Sequence, residues 1–217
     1  MKCLLCGRQM QESSLSDLIF GNDLLCRKCR GEWQRRDIAF LLDGVPLNSF
    51  YVYNAAFSAC LIQYKECGDE ALKDVFLSQV KNRLRRRYRG FTLLMMPSTQ
   101  KKTEARGFSH LKSMFECLGL PCMEPFEKTE DISQKALGRS ARQEMITAIR
   151  LKKDIQLPEK IILCDDTVTT GATLKGALKC LDQKKHTIRI CTVSYNARWI
   201  TENRPSGIHC LFMRQQV

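Results

Sequence analysis

Apolar and polar positions change their period several times along the chain. Residues 161–164 (Ile-Ile-Leu-Cys) form a continuous apolar run, as expected of a strand covered on both faces. Residues 90–97 (Gly-Phe-Thr-Leu-Leu-Met-Met-Pro) predict a second buried strand, residues 188–195 a third, and Phe50-Tyr51-Val52-Tyr53 a fourth. Between them, residues 55–64, 70–84, 108–118 and 172–181 read as helices. Residues 32–42 place Trp33, Ile38, Leu41 and Leu42 at roughly helical spacing, ended by Asp43-Gly44-Val45-Pro46, and predict a further helix. Residues 121–126 suit a short strand, whereas 127–139 show no clean period and read as a long excursion. From Gly44 onward strands alternate with helices, which predicts an α/β fold with a mainly parallel sheet flanked by helices. The expected division is a small N-terminal domain over residues 1–44 and the α/β domain over 45–217.

Composition narrows the class. The 217 residues are 44% hydrophobic and 27% charged, which excludes a globally disordered chain. The longest nearly apolar runs, 91–97 and 161–164, fall far short of the ~20 residues of a membrane span. Residues 1–12 lack the apolar stretch of ~7–15 residues that a secretory signal carries. The expectation is a cytoplasmic protein without membrane insertion. Its net charge of +12 favours a polyanionic partner.

The chain has 12 cysteines. Cytosolic thiols stay reduced, so clustered cysteines point to a metal and scattered ones to small core residues. Cys3-Leu4-Leu5-Cys6 and Cys26-Arg27-Lys28-Cys29, separated by 19 residues, match the four-cysteine zinc pattern. Each pair sits on a tight turn that aims two sulfurs one way, and two such knuckles close a tetrahedron around a structural Zn²⁺. Four unconnected thiols are the alternative; a redox C-x-x-C would need a βαβ setting, which is missing here. Cys164 and Cys180 read as buried thiols, and the remaining cysteines show no partner at metal spacing.

The segment 161–173 carries the chemistry. A buried strand ends in Asp165 and Asp166, and a small hydroxyl-rich turn opens a helix. Ligands of open α/β sheets bind beyond the carboxyl ends of strands, and a helix N-terminus offers free N–H groups to a phosphate. Thr169, Thr170 and Thr173 add hydroxyls, while Gly171 and Ala172 let the backbone approach closely. Adjacent carboxylates suit sugar hydroxyls or a hard divalent cation. Phosphate on one side and a diol on the other describe a ribose 5-phosphate. The alternative is an ordinary strand–turn–helix with surface Asp and Thr. No G-x-x-x-x-G-K-[ST] phosphate loop occurs in the chain.

This run resembles the phosphoribosyl diphosphate (PRPP) motif of type I phosphoribosyltransferases: apolar residues, two acidic ones, then Thr-Thr-Gly-x-Thr. The resemblance implies that the acidic pair engages the ribose 2′ and 3′ hydroxyls and the turn holds the 5′-phosphate. Asp165, Asp166, Thr167, Thr169, Thr170, Gly171, Ala172 and Thr173 become the candidate PRPP residues, with Ala172 where a second glycine is common. With its N-terminal knuckle, the whole chain is similar to the ComF family of competence proteins. Met95-Met96-Pro97-Ser98-Thr99 matches a Pro-Val-Pro-Leu-Ser-type segment, and Arg106-Gly107-Phe108-Ser109 an Arg-Gly-Phe-Asn run. Gln134, Leu137 and Arg142 match a Gln-rich hood. Met95 replaces the first proline and Ser109 the asparagine.

That similarity implies a phosphoribosyltransferase-like fold and a pyrophosphate loop of Ser98, Thr99, Lys101 and Lys102, with Arg106, serving a Mg²⁺–PRPP complex. It implies a late competence protein that aids uptake of transforming single-stranded DNA, partnered by the DEAD-box-type ATPase of the ComF operon, with the knuckle as docking surface. The alternatives are an active phosphoribosyltransferase on a base, nucleotide or related acceptor, and a zinc-stabilised interaction module. No residue in 127–142 stands out as a base, so the acceptor is not readable.

A basic tract completes the inventory. Lys81, Arg83, Arg85, Arg86, Arg87 and Arg89 precede Lys101, Lys102 and Arg106, with Glu104 the one acidic residue among them. Such density suits nucleic-acid phosphates, and Tyr88 and Phe91 could stack on unpaired bases. The other reading is the solvated basic end of a helix, with Phe91 in the core. Lys65 reads as a site-lining cation of open role. His110, His186 and His209 stand apart from any cluster and read as structural or solvated.

Overall fold

The computed structural model describes residues 1–10, 23–129 and 148–198. Gln134, Leu137, Arg142, His209 and Cys210 therefore lie outside the described residues. After the knuckles come helix α1 (Arg27–Gly31) and the strands β1 (Arg35–Leu42) and β2 (Val45–Val52). Helix α2 (Ala55–Glu66), a 3₁₀ turn (Glu70–Val75) and helix α3 (Lys81–Arg87) lead to β3 (Thr92–Met95). Helices α4 (Gln100–Arg106) and α5 (His110–Phe115) precede β4 (Cys122–Met123) and the pair β5 (Phe126–Thr129) and β6 (Ala148–Leu151). The chain then builds β7 (Lys160–Val168), α6 (Ala172–Lys179) and β8 (Thr187–Tyr195).

The main sheet has six strands in the order β1-β2-β8-β7-β3-β4. Only the β1–β2 pair is antiparallel; β2–β8, β8–β7, β7–β3 and β3–β4 are parallel. Strands β5 and β6 form a separate antiparallel pair. This is the mainly parallel α/β architecture expected from the alternation of elements. Ile161, Ile162, Leu163 and Cys164 are fully buried in β7, as a doubly covered strand requires.

Three local expectations are corrected. Residues 35–42 form a strand, not a helix. The spacing of Ile38 and Leu42 suits both, but Asp43-Gly44 decides between them. Both residues adopt positive φ, 49° and 81°, and they join Leu42 directly to Val45. That is the two-residue hairpin turn that Asp-Gly favours, because its twist matches the flanking strands. The hairpin lies across residue 44, so the sheet takes in residues on both sides of the expected division, which stays a proposal. The predicted helix over 70–84 is broken into a 3₁₀ turn and α3. Leu72, Val75, Phe76, Leu77 and Val80 are all buried, and such all-round burial leaves no polar face for one long amphipathic helix. Lys101 and Lys102, expected in a loop with Ser98 and Thr99, stand on helix α4.

An aromatic cluster joins the N-terminal segment to the sheet. Trp33 meets Phe57, Tyr51 and Phe76 at centroid separations of 4.8, 5.3 and 5.7 Å. Beside it, Arg30 stands 4.5 Å over the Trp33 ring. Its Nε and Nη2 donate to the Asp23 carboxylate at 2.6 and 2.5 Å, and Nη2 also reaches Val75 O at 2.9 Å and Ser78 Oγ at 3.0 Å. No described helix is long and apolar enough to cross a membrane.

Candidate functional site

The four cysteines of the knuckles come together. The Sγ atoms of Cys3, Cys6, Cys26 and Cys29 all lie within 4.8 Å of one another. Cys6 and Cys26 are 3.7 Å apart, close to the ~3.8 Å edge of a tetrahedron with metal–sulfur bonds of ~2.3 Å. The four thiols are unequal. Burial opposes ionisation of Cys3, but the backbone N–H groups of Cys26, Cys6 and Leu5 outweigh it and bring the thiol down to about 6. Cys29 is pushed up by burial and by the neighbouring sulfurs. The donor set fits a metal ion that would hold all four as thiolates.

The acidic pair sits within the carboxyl-terminal half of β7, not beyond it. Consecutive strand residues face opposite ways, so Asp165 and Asp166 enter different surroundings. Asp166 is buried, and its Oδ2 lies 2.8 Å from Lys65 Nζ and 2.9 Å from His110 Nε2. Burial disfavours its charge, but His110 and Lys65 outweigh that and hold it well below the usual carboxylate range. Asp165 is half-buried, and its Oδ1 accepts from the Asp166 amide at 2.9 Å. Burial and the charge on Asp166 push its carboxyl up to about 7, against the pull of Lys65 and Lys128.

The turn after β7 has the expected form. Thr167 remains in the strand, its Oγ1 2.7 Å from Ser194 Oγ. Thr169 and Thr170 are exposed, and Gly171 turns the chain at φ 73° into α6. That left-handed conformation is one that glycine adopts without steric cost. Of the first-turn amides, that of Ala172 donates to Thr170 Oγ1 at 3.3 Å, so the chain's own side chain caps it. The amides of Thr173 and Leu174 have no such partner among the described residues.

The remaining expected residues divide. Ser98 lines a cleft of about 390 Å³ together with Thr103, Phe126, Lys128 and His110; Asp165 and Asp166 are not among its lining residues, and the cleft meets the acidic pair through His110. Thr99 begins α4, and Lys101 and Lys102 are exposed on it. Arg106 is turned inward: its side chain is 3% exposed, with Nε on Lys65 O at 2.7 Å and Nη1 on His110 Nδ1 at 2.8 Å. Lys81, Arg83, Arg85, Arg86, Arg87 and Arg89 are clustered on and just after α3. Arg83 is paired with Asp37, while Arg85, Arg86, Arg87 and Arg89 are exposed. This tract leads through Gly90 into the first residue of β3, Thr92, which pairs with Ile161 at the start of β7. It thus lies at the opposite end of the sheet from Asp166, roughly 16 Å along the strand. The stacking role for Tyr88 is excluded. Its ring is fully buried, and its hydroxyl accepts from Asn48 Nδ2 at 3.2 Å.

The residue missed by sequence reasoning is His110. It is buried against the acidic pair, although nothing in its neighbourhood along the chain marks it. Lys65, of open role in the sequence, joins it there.

No protein-family model matches the chain. Competence protein ComFC of Streptococcus pneumoniae is 28% identical over 208 residues, covering 84% of this chain and 94% of that protein. Competence protein ComFC of Bacillus subtilis is 28% identical over 187 residues, covering 84% and 72%. The chain is similar to both ComFC proteins over most of its length. These relatives bear out the resemblance to the ComF family. Among solved structures, orotate phosphoribosyltransferase from Aeropyrum pernix is similar at a TM-score of 0.31 and 14% identity, over 81% of this chain and 94% of that one. At that score the likeness says nothing of ligand or activity.

The Asp165 environment has a measurable consequence. The unfolded carboxyl titrates near ~3.9 and the folded one near about 7. Between these values the folded state keeps a proton that the unfolded chain has lost, so this group lowers stability as pH rises through the window. Asp165→Asn removes that loss. Denaturant melts should show the variant gaining ~1–3 kcal/mol over wild type from pH ~4 to ~7, and a difference independent of pH would refute the assignment.

Proposed function

We propose that this chain is a cytoplasmic competence protein that aids uptake of transforming single-stranded DNA and carries a PRPP site at the carboxyl end of β7. The observation that carries the reading is the homology to ComFC over 84% of the chain. It is supported by the acidic pair and glycine-capped turn that stand together where open α/β sheets take ligands. In this reading Asp165 and Asp166 meet the ribose hydroxyls. The unpartnered amides at the start of α6, with Thr169, Thr170 and Thr173, take the 5′-phosphate. Ser98, Thr99, Lys101 and Lys102 lie on the pyrophosphate side. Mg²⁺ would arrive with PRPP and neutralise its diphosphate charge. The four-cysteine cluster holds structural Zn²⁺, since four sulfur ligands leave no open position for catalysis. The knuckle is the docking surface for the DEAD-box-type ATPase of the ComF operon.

The exposed Arg85, Arg86, Arg87 and Arg89 supply a sequence-independent contact to DNA phosphates. Because the tract and the acidic pair occupy opposite ends of the sheet, DNA and PRPP bind together. A second reading, an active transferase acting on a base, nucleotide or related acceptor, is favoured by the cleft of about 390 Å³ lined by His110, the partner of Asp166, which has room for an acceptor. It predicts pyrophosphate release that depends on PRPP, Mg²⁺ and the acceptor.

Elemental analysis should find one zinc per chain. Cys26→Ser should remove it and lower Tm by ~5 °C or more, and a metal-free protein of unchanged Tm would end the zinc assignment. Calorimetry should show Mg²⁺–PRPP binding that survives saturating oligonucleotide and disappears when Asp165 and Asp166 both become Asn. Replacing Arg85, Arg86 and Arg87 with Ala should reduce the salt slope of oligonucleotide binding by ~2. Mutual exclusion of the two ligands, or an unaltered slope, would overturn this placement.

A further inference from the structure

Two helices far apart in sequence converge on one carboxylate oxygen of β7. Lys65 Nζ, in the last turn of α2, and His110 Nε2, in the first turn of α5, both lie on Asp166 Oδ2, at 2.8 and 2.9 Å. Asp166 Oδ1 takes no hydrogen bond among the described residues. Behind this pair stands Arg106, at the end of α4. Its Nη1 lies 2.8 Å from His110 Nδ1, and its Nε donates to Lys65 O at 2.7 Å. Tyr64 OH donates to His110 O at 2.7 Å and steadies the start of α5.

The donor inventory fixes the state of the ring. A guanidinium can only donate, so His110 Nδ1 must accept. The proton of the neutral imidazole then sits on Nε2 and is donated to Asp166. Burial, the largest influence on His110, likewise disfavours the charged ring. The network is therefore ordered in one direction, from Arg106 through His110 to Asp166, with Lys65 adding a second donor to the same oxygen. Arg106, with its side chain 3% exposed, faces this network and not a surface where phosphate could reach it.

We propose that Lys65, His110 and Arg106 are positioning residues: they hold Asp166 by Oδ2, so that Oδ1 alone is presented to a ribose hydroxyl of the ligand. The inference rests on the ribose-phosphate reading of the site. It assigns the two oxygens of one carboxylate different tasks and makes Arg106 an inner support of the acidic pair.

The test compares wild type, His110→Leu and His110→Gln in calorimetric titration with Mg²⁺–PRPP. Glutamine keeps an amide N–H for Asp166 and a carbonyl for Arg106, whereas leucine fills similar space with neither. Affinity should fall ~10-fold or more in His110→Leu, the loss of a hydrogen bond to a charged group, and stay within ~3-fold of wild type in His110→Gln. A second measurement needs no ligand and no variant. Long-range ¹H–¹⁵N correlation of the wild-type chain should show His110 as the neutral Nε2–H tautomer at neutral pH. Equal affinity in wild type and His110→Leu, or a ring protonated on Nδ1, would overturn the positioning role alone. A wild-type chain that takes up no PRPP overturns the ligand reading and this inference with it.

Discussion

The carboxyl end of β7 depends on keeping one buried charge, that of Asp166, compensated. An ionised carboxylate removed from water costs several kcal/mol unless charge and hydrogen bonds replace its hydration. Here the compensation comes from α2 through Lys65 and from the start of α5 through His110. Both helices are thereby tied to the carboxyl end of β7. Lys65 also sits in the last turn of α2, where a cation is favoured by the helix dipole. Remove either donor and the carboxylate loses part of its charge compensation, which loosens two helices and the strand end together.

Asp165 lives under the opposite constraint. It is raised by burial and by its charged neighbour, so the pair carries less than two full charges near neutrality in the ligand-free chain. Adjacent carboxylates that differ this widely in acidity can accept and donate hydrogen bonds at the same pH, which suits a pair of sugar hydroxyls better than two identical anions would. The left-handed turn at Gly171 completes the arrangement by directing the start of α6 toward the same end of the sheet.

A second clamp ties the metal knuckle to the sheet. Arg30 lies in α1, immediately after Cys29, and binds Asp23, Val75 O and Ser78 within the interior. Trp33 follows and enters the aromatic cluster with Tyr51, Phe57 and Phe76. Burial of a cation with three sets of acceptors, stacked on an indole, makes the orientation of α1 specific. The turn that carries Cys26 and Cys29 is thereby fixed against the core. At the far end of the sheet Arg85, Arg86, Arg87 and Arg89 are left in solvent, so this basic cluster and the acidic pair are separated along the strands.

The sequence by itself determined the features whose information is local. Two C-x2-C pairs mark the knuckles, because a tight turn needs only its own residues. The unbroken run from Ile161 to Cys164 marks a doubly covered strand, and Thr-Thr-Gly marks the turn that follows. The Asp43-Gly44 hairpin was equally local, although the coincidence of helical and strand spacing in residues 35–42 concealed it. Tertiary structure decided what depends on meeting across the fold. That Tyr88 is core and not an exposed stacking platform follows from Asn48, 40 positions earlier. That Arg106 turns inward, and that His110 belongs to the site, follow from a contact to Asp166 56 positions later. An isolated histidine carries no sign of such a partner along the chain, because only the packing of α2, α4, α5 and β7 brings the three charges and the ring within hydrogen-bond reach.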